Sequence, residues 1–300
     1  MLFTGQIDRY KFTYRLEGNY CHPALLFLHG FMGDRDDFDE IIAILSHQFY
    51  CITIDLPAHR DSQIISLENS ELPTFAEPCS PIRSPQVSKQ FLGQYHTMQA
   101  TARFVINFLD LIHLKKCNIV GYSMGGRLAL YIAVHFPNYV DRLILESASP
   151  GIADTQARRD RYLQDLHLAN TLENMSPSQF REFLQQWYQK PIFGNLRSHP
   201  HFTQMLQRRQ MQHPPALAQS LKNLSTGLQP SLWENLPHLT TPTLLIAGEL
   251  DHKFVQINQQ ILPHTNLASL EIMPNCGHNT HFEQPAKFAQ ILQNWLLQQS

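Results

Sequence analysis

Gly121-Tyr122-Ser123-Met124-Gly125 is the stretch on which the reading of this 300-residue chain turns. It follows the apolar run Cys117–Val120, which reads as a strand, and opens Met124–Phe136, which has helical spacing. A G-x-S-x-G between a strand and a helix is the sequence form of a sharp, strained turn. Its flanking glycines spare side-chain clashes, and its serine stands exposed at the end of the sheet. The hydroxyl of Ser123 would then lie beside the positive end of the following helix. The pentapeptide alone is weak, and a purely structural turn is the competing interpretation; the strand-to-helix setting gives it weight.

A serine activated in this way needs a histidine and an acid, in the chain order Ser, acid, His. Asp251 stands in Ala247-Gly248-Glu249-Leu250-Asp251, after the apolar run Thr243–Ile246. His278 stands in Cys276-Gly277-His278-Asn279, after the last candidate strand and 27 positions beyond Asp251. Glu249 competes for the role of acid, and His281 for that of base, although His281 suits the start of the final helix better. Cys276 would be a poor nucleophile, because no helix start is near to lower its pKa. An oxyanion hole is expected from the amide of Met124 and from Phe31 in the loop Leu28-His29-Gly30-Phe31-Met32-Gly33. His29-Gly30 also reads as a tight strand exit.

Further out, short apolar runs alternate with helical stretches, as in a mainly parallel sheet covered on both faces. Candidate strands are Ala24–Leu28, Tyr50–Ile54, Cys117–Val120, Leu143–Leu145, Thr243–Ile246 and Leu270–Met273. Candidate helices are Asp37–Ser46, Thr97–Ile112, Met124–Phe136 and Pro285–Leu297. Residues 61–90 break the rhythm with scattered Ser, Pro and Glu and read as a long surface loop. Residues 150–240 carry helical patterns without a convincing strand, which suits a cap over the carboxyl edge of the sheet, where ligands bind. The expected fold class is α/β, an α/β-hydrolase fold. Its core would span residues 1–149 and 241–300, with the helical cap at 150–240.

Composition excludes several functions. Apolar residues make up 43% and charged residues 16%, and the net charge is −2, so nothing favours nucleic acid or a membrane surface. The first residues lack the basic and apolar regions of a secretion signal, and no run is long enough to span a bilayer. Five scattered cysteines without a CxxC pair suit free thiols in a reducing cytoplasm rather than metal or redox chemistry. Arg127 lies four residues beyond Ser123, one helical turn along the same face, and should point toward the pocket unless it snorkels to solvent.

The motifs LHGFMGDRDDF (Leu28–Phe38), GYSMGGR (Gly121–Arg127), ESASPG (Glu146–Gly151), WYQKPIF (Trp187–Phe193), TGLQPSLW (Thr226–Trp233) and CGHNTHFEQP (Cys276–Pro285) resemble the MenH family. These are the 2-succinyl-6-hydroxy-2,4-cyclohexadiene-1-carboxylate synthases of menaquinone and phylloquinone biosynthesis. The resemblance runs from about Ala24 to Trp295, apart from 61–90. It implies a carbon–oxygen lyase without metal or cofactor, acting on 2-succinyl-5-enolpyruvyl-6-hydroxy-3-cyclohexene-1-carboxylate and releasing pyruvate. The triad would take a ring proton next to the succinyl ketone, and Phe31 and Met124 would hold the enolate oxygen. The substrate would be a small tricarboxylate, and Arg127, Arg161 and Arg209 would meet its carboxylates, with Arg208 the neighbour competing with Arg209. Tyr122, Trp187 and Tyr188 would line the site, although an aromatic pair on an amphipathic helix is often core. A cytoplasmic monomer is the default, without nucleic acid or stable membrane association. One departure stands out: the family usually has DLPGHG where this chain has Asp55-Leu56-Pro57-Ala58-His59-Arg60, so a changed backbone is expected there. A serine carboxylesterase, thioesterase or carbon–carbon-bond hydrolase of the same fold is the alternative function. A non-catalytic member of the fold is the third.

Overall fold

The strand Ala24–Leu28 shows how the core is built. Leu26 and Leu28 face one apolar cluster, while Leu25 and Phe27 face another. Side chains alternate across a strand, so a continuous apolar run fits only a strand covered on both faces. In the computed structural model, which describes residues 1–64 and 96–297, the run lies inside a nine-stranded sheet.

Along the chain the elements are β1 (Leu2–Ile7), β2 (Tyr10–Glu17), β3 (Ala24–Leu28), α1 (Asp39–Leu45), β4 (Tyr50–Ile54), β5 (Gln63–Ile64) and α2 (Met98–Leu111). Next come β6 (Cys117–Tyr122), α3 (Met124–His135), β7 (Val140–Glu146), α4 (Thr155–Glu173), α5 (Pro177–Trp187), α6 (Phe202–Arg209) and α7 (Pro214–Asn223). The last are β8 (Thr243–Gly248), α8 (His252–Ile261), β9 (Ala268–Met273), α9 (Thr280–Glu283) and α10 (Pro285–Leu297). The strand order is β1-β2-β4-β3-β6-β7-β8-β9, with β5 beside β2. Pairing is parallel from β4 through β9, and antiparallel where β2 meets β1, β4 and β5. Helices α2 and α3 supply the first cluster, and α1 and α10 the second.

The chain leaves β3 toward β4 and leaves β6 toward β7, in opposite directions across the sheet. A crevice must therefore open between the carboxyl ends of β3 and β6, where open α/β sheets bind ligands. Leu28, the last residue of β3, is in register with Gly121 of β6, so Phe31 and Ser123 leave the sheet side by side.

Between β7 and β8 the segment holds α4 to α7 and short 3-10 turns, and no strand among the described residues. It has its own apolar cluster, including Leu172, Leu184 and Leu217, into which Met32 of the β3 exit inserts. Side-chain caps start its helices: Asp154 accepts from the Ala157 amide at 2.7 Å, and Ser176 and Gln179 form a capping box.

The structure alters three expectations. A hairpin of β1 and β2 precedes the first anticipated strand. The first helix begins at Asp39 rather than Asp37, whose amide instead closes a turn onto the Asp34 carbonyl at 3.1 Å. After β4, Ala58 and Arg60 have φ values of 66° and 48°, so replacing glycines has not moved the backbone out of the left-handed region. That costs about 1–2 kcal/mol per non-glycine residue. Polar contacts hold the turn: Arg60 pairs with Asp34 at 3.0 Å and its amide donates to Gln212 Oε1 at 2.8 Å. Of the loop expected over 61–90, the part from residue 65 lies outside the described residues; at its start Gln63–Ile64 pairs with β2.

Candidate active site

Gly121 and Gly125 permit the turn that presents Ser123. A Cβ on Gly125 would sit 2.1 Å from the Leu28 carbonyl oxygen, and one on Gly121 would sit 2.5 Å from that of Gly125. Ser123 has φ 50° and ψ −105°, a strained conformation for a residue with a Cβ. Its amide is tied to the Glu146 carbonyl at 2.9 Å. The hydroxyl lies 3.1 Å from His278 Nε2, and His278 Nδ1 lies 2.6 Å from Asp251 Oδ2. With an ionised Asp251, Nδ1 carries the proton and donates, so Nε2 is left free to accept from Ser123 Oγ.

Each member is placed by its own element. Asp251 ends the β8 exit and caps α8 through the Phe254 amide. The His278 amide donates to the Ile192 carbonyl at 2.9 Å, so the WYQKPIF stretch braces the histidine loop. Gly277 makes this contact possible, since a Cβ there would lie 2.6 Å from the Phe193 carbonyl carbon. The competitors are occupied elsewhere. Exposed Glu249 accepts from the Asn275 amide, and buried His281 is 2.6 Å from Glu146 Oε2. Burial, with Glu283 nearby, pushes the Cys276 thiol up to about 12, so it stays protonated.

A cleft of about 530 Å³ opens above the serine, lined by both the sheet exits and the helical segment. Phe31 and Met124 line it, and among the described residues neither of their amides has a protein acceptor. Two unpaired amides at a strand exit and a helix start can hold a developing oxyanion.

All three anticipated arginines reach this cleft, but each already has protein partners. Arg127 donates to Gln229 Oε1 at 2.8 Å and to the Leu224 carbonyl at 3.0 Å. Burial, helped by Arg161, lowers its guanidinium to about 10. Arg161 places Nε 2.9 Å from both oxygens of Asp165. Arg209 is buried, with its fork bidentate on Asp37 at 2.6 and 2.9 Å and Nε toward the Tyr188 hydroxyl. Arg208 turns away to the Asp36 carbonyl and does not line the cleft. Tyr122, Trp187 and Tyr188 all line it, Tyr188 from a buried position.

Sequence reasoning missed Lys190 and Lys253, which also line the cleft. Lys253 follows Asp251 by two residues, and Lys190 lies within the WYQKPIF motif, so both could have been found by asking which cations flank the motif residues. Among the described residues no group of three potential metal ligands converges, and no helix is long and apolar enough to cross a membrane.

Comparison with known proteins agrees with this geometry. The alpha/beta hydrolase fold family matches residues 23–285. Protein PHYLLO, chloroplastic, of Arabidopsis thaliana is 32% identical over 90% of this chain, which spans only 15% of that protein's length. The 2-succinyl-6-hydroxy-2,4-cyclohexadiene-1-carboxylate synthase of Serratia proteamaculans is 31% identical over 94% of this chain and 96% of its own. The structure of MenH from S. aureus superposes with a TM-score of 0.79 at 29% identity, covering 94% of this chain and 97% of that one. Matched nearly end to end by such a relative, and carrying the turn and topology just described, the chain belongs to the 2-succinyl-6-hydroxy-2,4-cyclohexadiene-1-carboxylate synthase family of the α/β-hydrolase fold.

Proposed function

We propose that this chain is a carbon–oxygen lyase of menaquinone or phylloquinone biosynthesis. It converts 2-succinyl-5-enolpyruvyl-6-hydroxy-3-cyclohexene-1-carboxylate into 2-succinyl-6-hydroxy-2,4-cyclohexadiene-1-carboxylate and pyruvate. The observation that carries this is a Ser123–His278–Asp251 relay opening into a cleft whose charged lining is mainly cationic. A neutral ester needs no such lining, whereas a tricarboxylate does.

Ring carbon 2 of the substrate lies between the succinyl ketone and the 3,4 double bond, so its proton is acidic. Ser123 Oγ takes that proton as its own passes to His278 Nε2, and Asp251 stabilises the resulting imidazolium. The electrons of the broken C–H bond form the 2,3 double bond, and the former 3,4 pair moves to 4,5. The C5–O bond breaks, and the leaving enolpyruvate takes a proton on carbon to become pyruvate. The Phe31 and Met124 amides hold the ketone oxygen as it becomes an enolate; one such donor contributes about 2.7–4 kcal/mol. Residues 150–240 act as the cap that closes the cleft over the core of 1–149 and 241–300. A cytoplasmic setting suits Cys21, Cys51, Cys117 and Cys276, which are free thiols.

The test is pyruvate release by the purified protein from the enolpyruvyl substrate, beside hydrolysis of p-nitrophenyl acetate. Fast pyruvate release with negligible ester turnover is expected. The opposite order would assign a hydrolase instead.

A further inference from the structure

Five cationic side chains line the cleft, Arg127, Arg161, Lys190, Arg209 and Lys253, against a single lining carboxylate, Asp165. Arg161 holds that carboxylate, and Arg209 is held by Asp37. Among the described residues Arg127, Lys190 and Lys253 have no anionic partner. Arg127 makes only neutral contacts, and the Lys190 ammonium rests 3.2 Å from the centre of the Trp187 ring. Three cations thus make no ion-pair contact in a cleft read as taking three carboxylates, with Asp165 and Asp251 acting on them only at longer range.

We infer that Lys190 and Lys253, exposed along the cleft, are carboxylate-binding residues that act with Arg127 in the recognition of a tricarboxylate. The number of substrate charges rests on the lyase reading above; the cationic lining does not. Both lysines are exposed, so their stems can swing to meet an anion without opening a buried pair. The Trp187 face holds the Lys190 ammonium at the cleft lining. Arg161, close enough to lower the protonation of both lysines, raises the positive potential that an entering anion meets. Arg209 keeps a second donor on each terminal nitrogen beside its pair with Asp37, but it is buried, whereas the two lysines are exposed along the cleft.

The experiment compares wild type, Lys190→Gln, Lys253→Gln and the double variant. Lys222→Gln serves as control, because that lysine pairs with Glu173 and does not line the cleft. Kinetics of pyruvate release are measured alongside calorimetric binding of citrate, a plain tricarboxylate. Each single variant should raise KM about 3- to 10-fold with kcat within twofold, the pattern of lost uniform binding. The double variant should raise KM about 30-fold, and the control should match wild type. An unchanged KM in the double variant, with wild type active, overturns the inference and leaves the lyase reading intact. If wild type releases no pyruvate, citrate decides. Tenfold weaker binding by the double variant supports the anion site and removes the lyase; unchanged binding overturns the site as well.

Discussion

Ser123 sits at φ 50°, where a side chain is strained, and in that conformation its hydroxyl lies 3.1 Å from His278 Nε2. Residues of such a relay act as a unit, so Ser123→Ala and His278→Ala should each lower kcat by about three powers of ten or more. Asp251→Asn should cost less, though still heavily, since the imidazole loses its orienting partner. Glu249→Gln should change little, because that carboxylate caps the Asn275 amide at the surface. Steady-state pyruvate release checks all four, and near-wild-type turnover in Ser123→Ala would remove the relay from the mechanism. Ala58 is strained without an evident reward. Glycine there should relieve about 1–2 kcal/mol, against roughly 0.4–1 kcal/mol of added unfolded-state entropy. Ala58→Gly is therefore expected to raise Tm by about 1–2 °C in a thermal melt; a lowered Tm would show that the strain was overestimated. These single positions were legible in the sequence to different degrees. Ser123, His278 and Asp251 could be read because a tight turn and a fixed chain order constrain them. The backbone at Ala58 could not, since neighbouring contacts, not local preference, decide whether an alanine tolerates positive φ.

At the scale of elements, the joint between α6 and the loop after β3 carries the heaviest charge. Arg209 and Asp37 are both buried and meet through two hydrogen bonds, and Gln212 adds a third link to the Gly33 carbonyl. Burial pushes the Asp37 carboxyl up, but Arg209 outweighs it and holds the group below its ordinary value. A depressed carboxyl contributes stability that is complete above its unfolded value and lost as pH falls through its folded one. Asp37→Asn strands the Arg209 charge, which typically costs 3–5 kcal/mol, so Tm should fall by roughly 10 °C. Asp37→Leu combined with Arg209→Met should recover much of that loss, because two apolar side chains strand no charge. A melt of Asp37→Asn within 2 °C of wild type would mean that the joint does not depend on the pair. No sequence pattern announced it, since the partners lie 172 positions apart. The parallel strands were legible because burial on both faces forces unbroken apolar runs, and Ala24–Leu28 and Tyr50–Ile54 have the expected bounds. The hairpin was equally legible, since Tyr10, Phe12, Tyr14 and Leu16 alternate with Lys11, Thr13, Arg15 and Glu17, but a search for unbroken apolar runs passes over such a period-two strand.

For the molecule as a whole, a net charge of −2 conceals a cleft with the opposite sign. Composition excluded a basic surface but could not reveal this, because the cations come from α3, α4, α6, α8 and the turn after α5, and only folding brings them together. The consequence is a pH dependence of binding that comes from the cleft lysines, with Lys190 giving the step near 8. Partial burial, reinforced by Arg161 and opposed by Asp165, lowers the Lys190 ammonium to about 8, and the Trp187 ring covers it. Binding of a carboxylate favours the protonated amine, so the affinity it adds is complete below about 8 and disappears as pH rises through that value. Arg127, lowered to about 10, remains charged across this window. KM for the enolpyruvyl substrate should therefore be level from pH 6.5 to 7.5 and rise about 3- to 10-fold by roughly pH 9. In Lys190→Gln the step near 8 should vanish and KM should stay near its raised value throughout. Moderate salt should flatten the wild-type rise as well, because the cleft lysines are exposed and screened. Measuring KM at half-unit intervals in both proteins decides it: the same step in Lys190→Gln would assign the titration to another group.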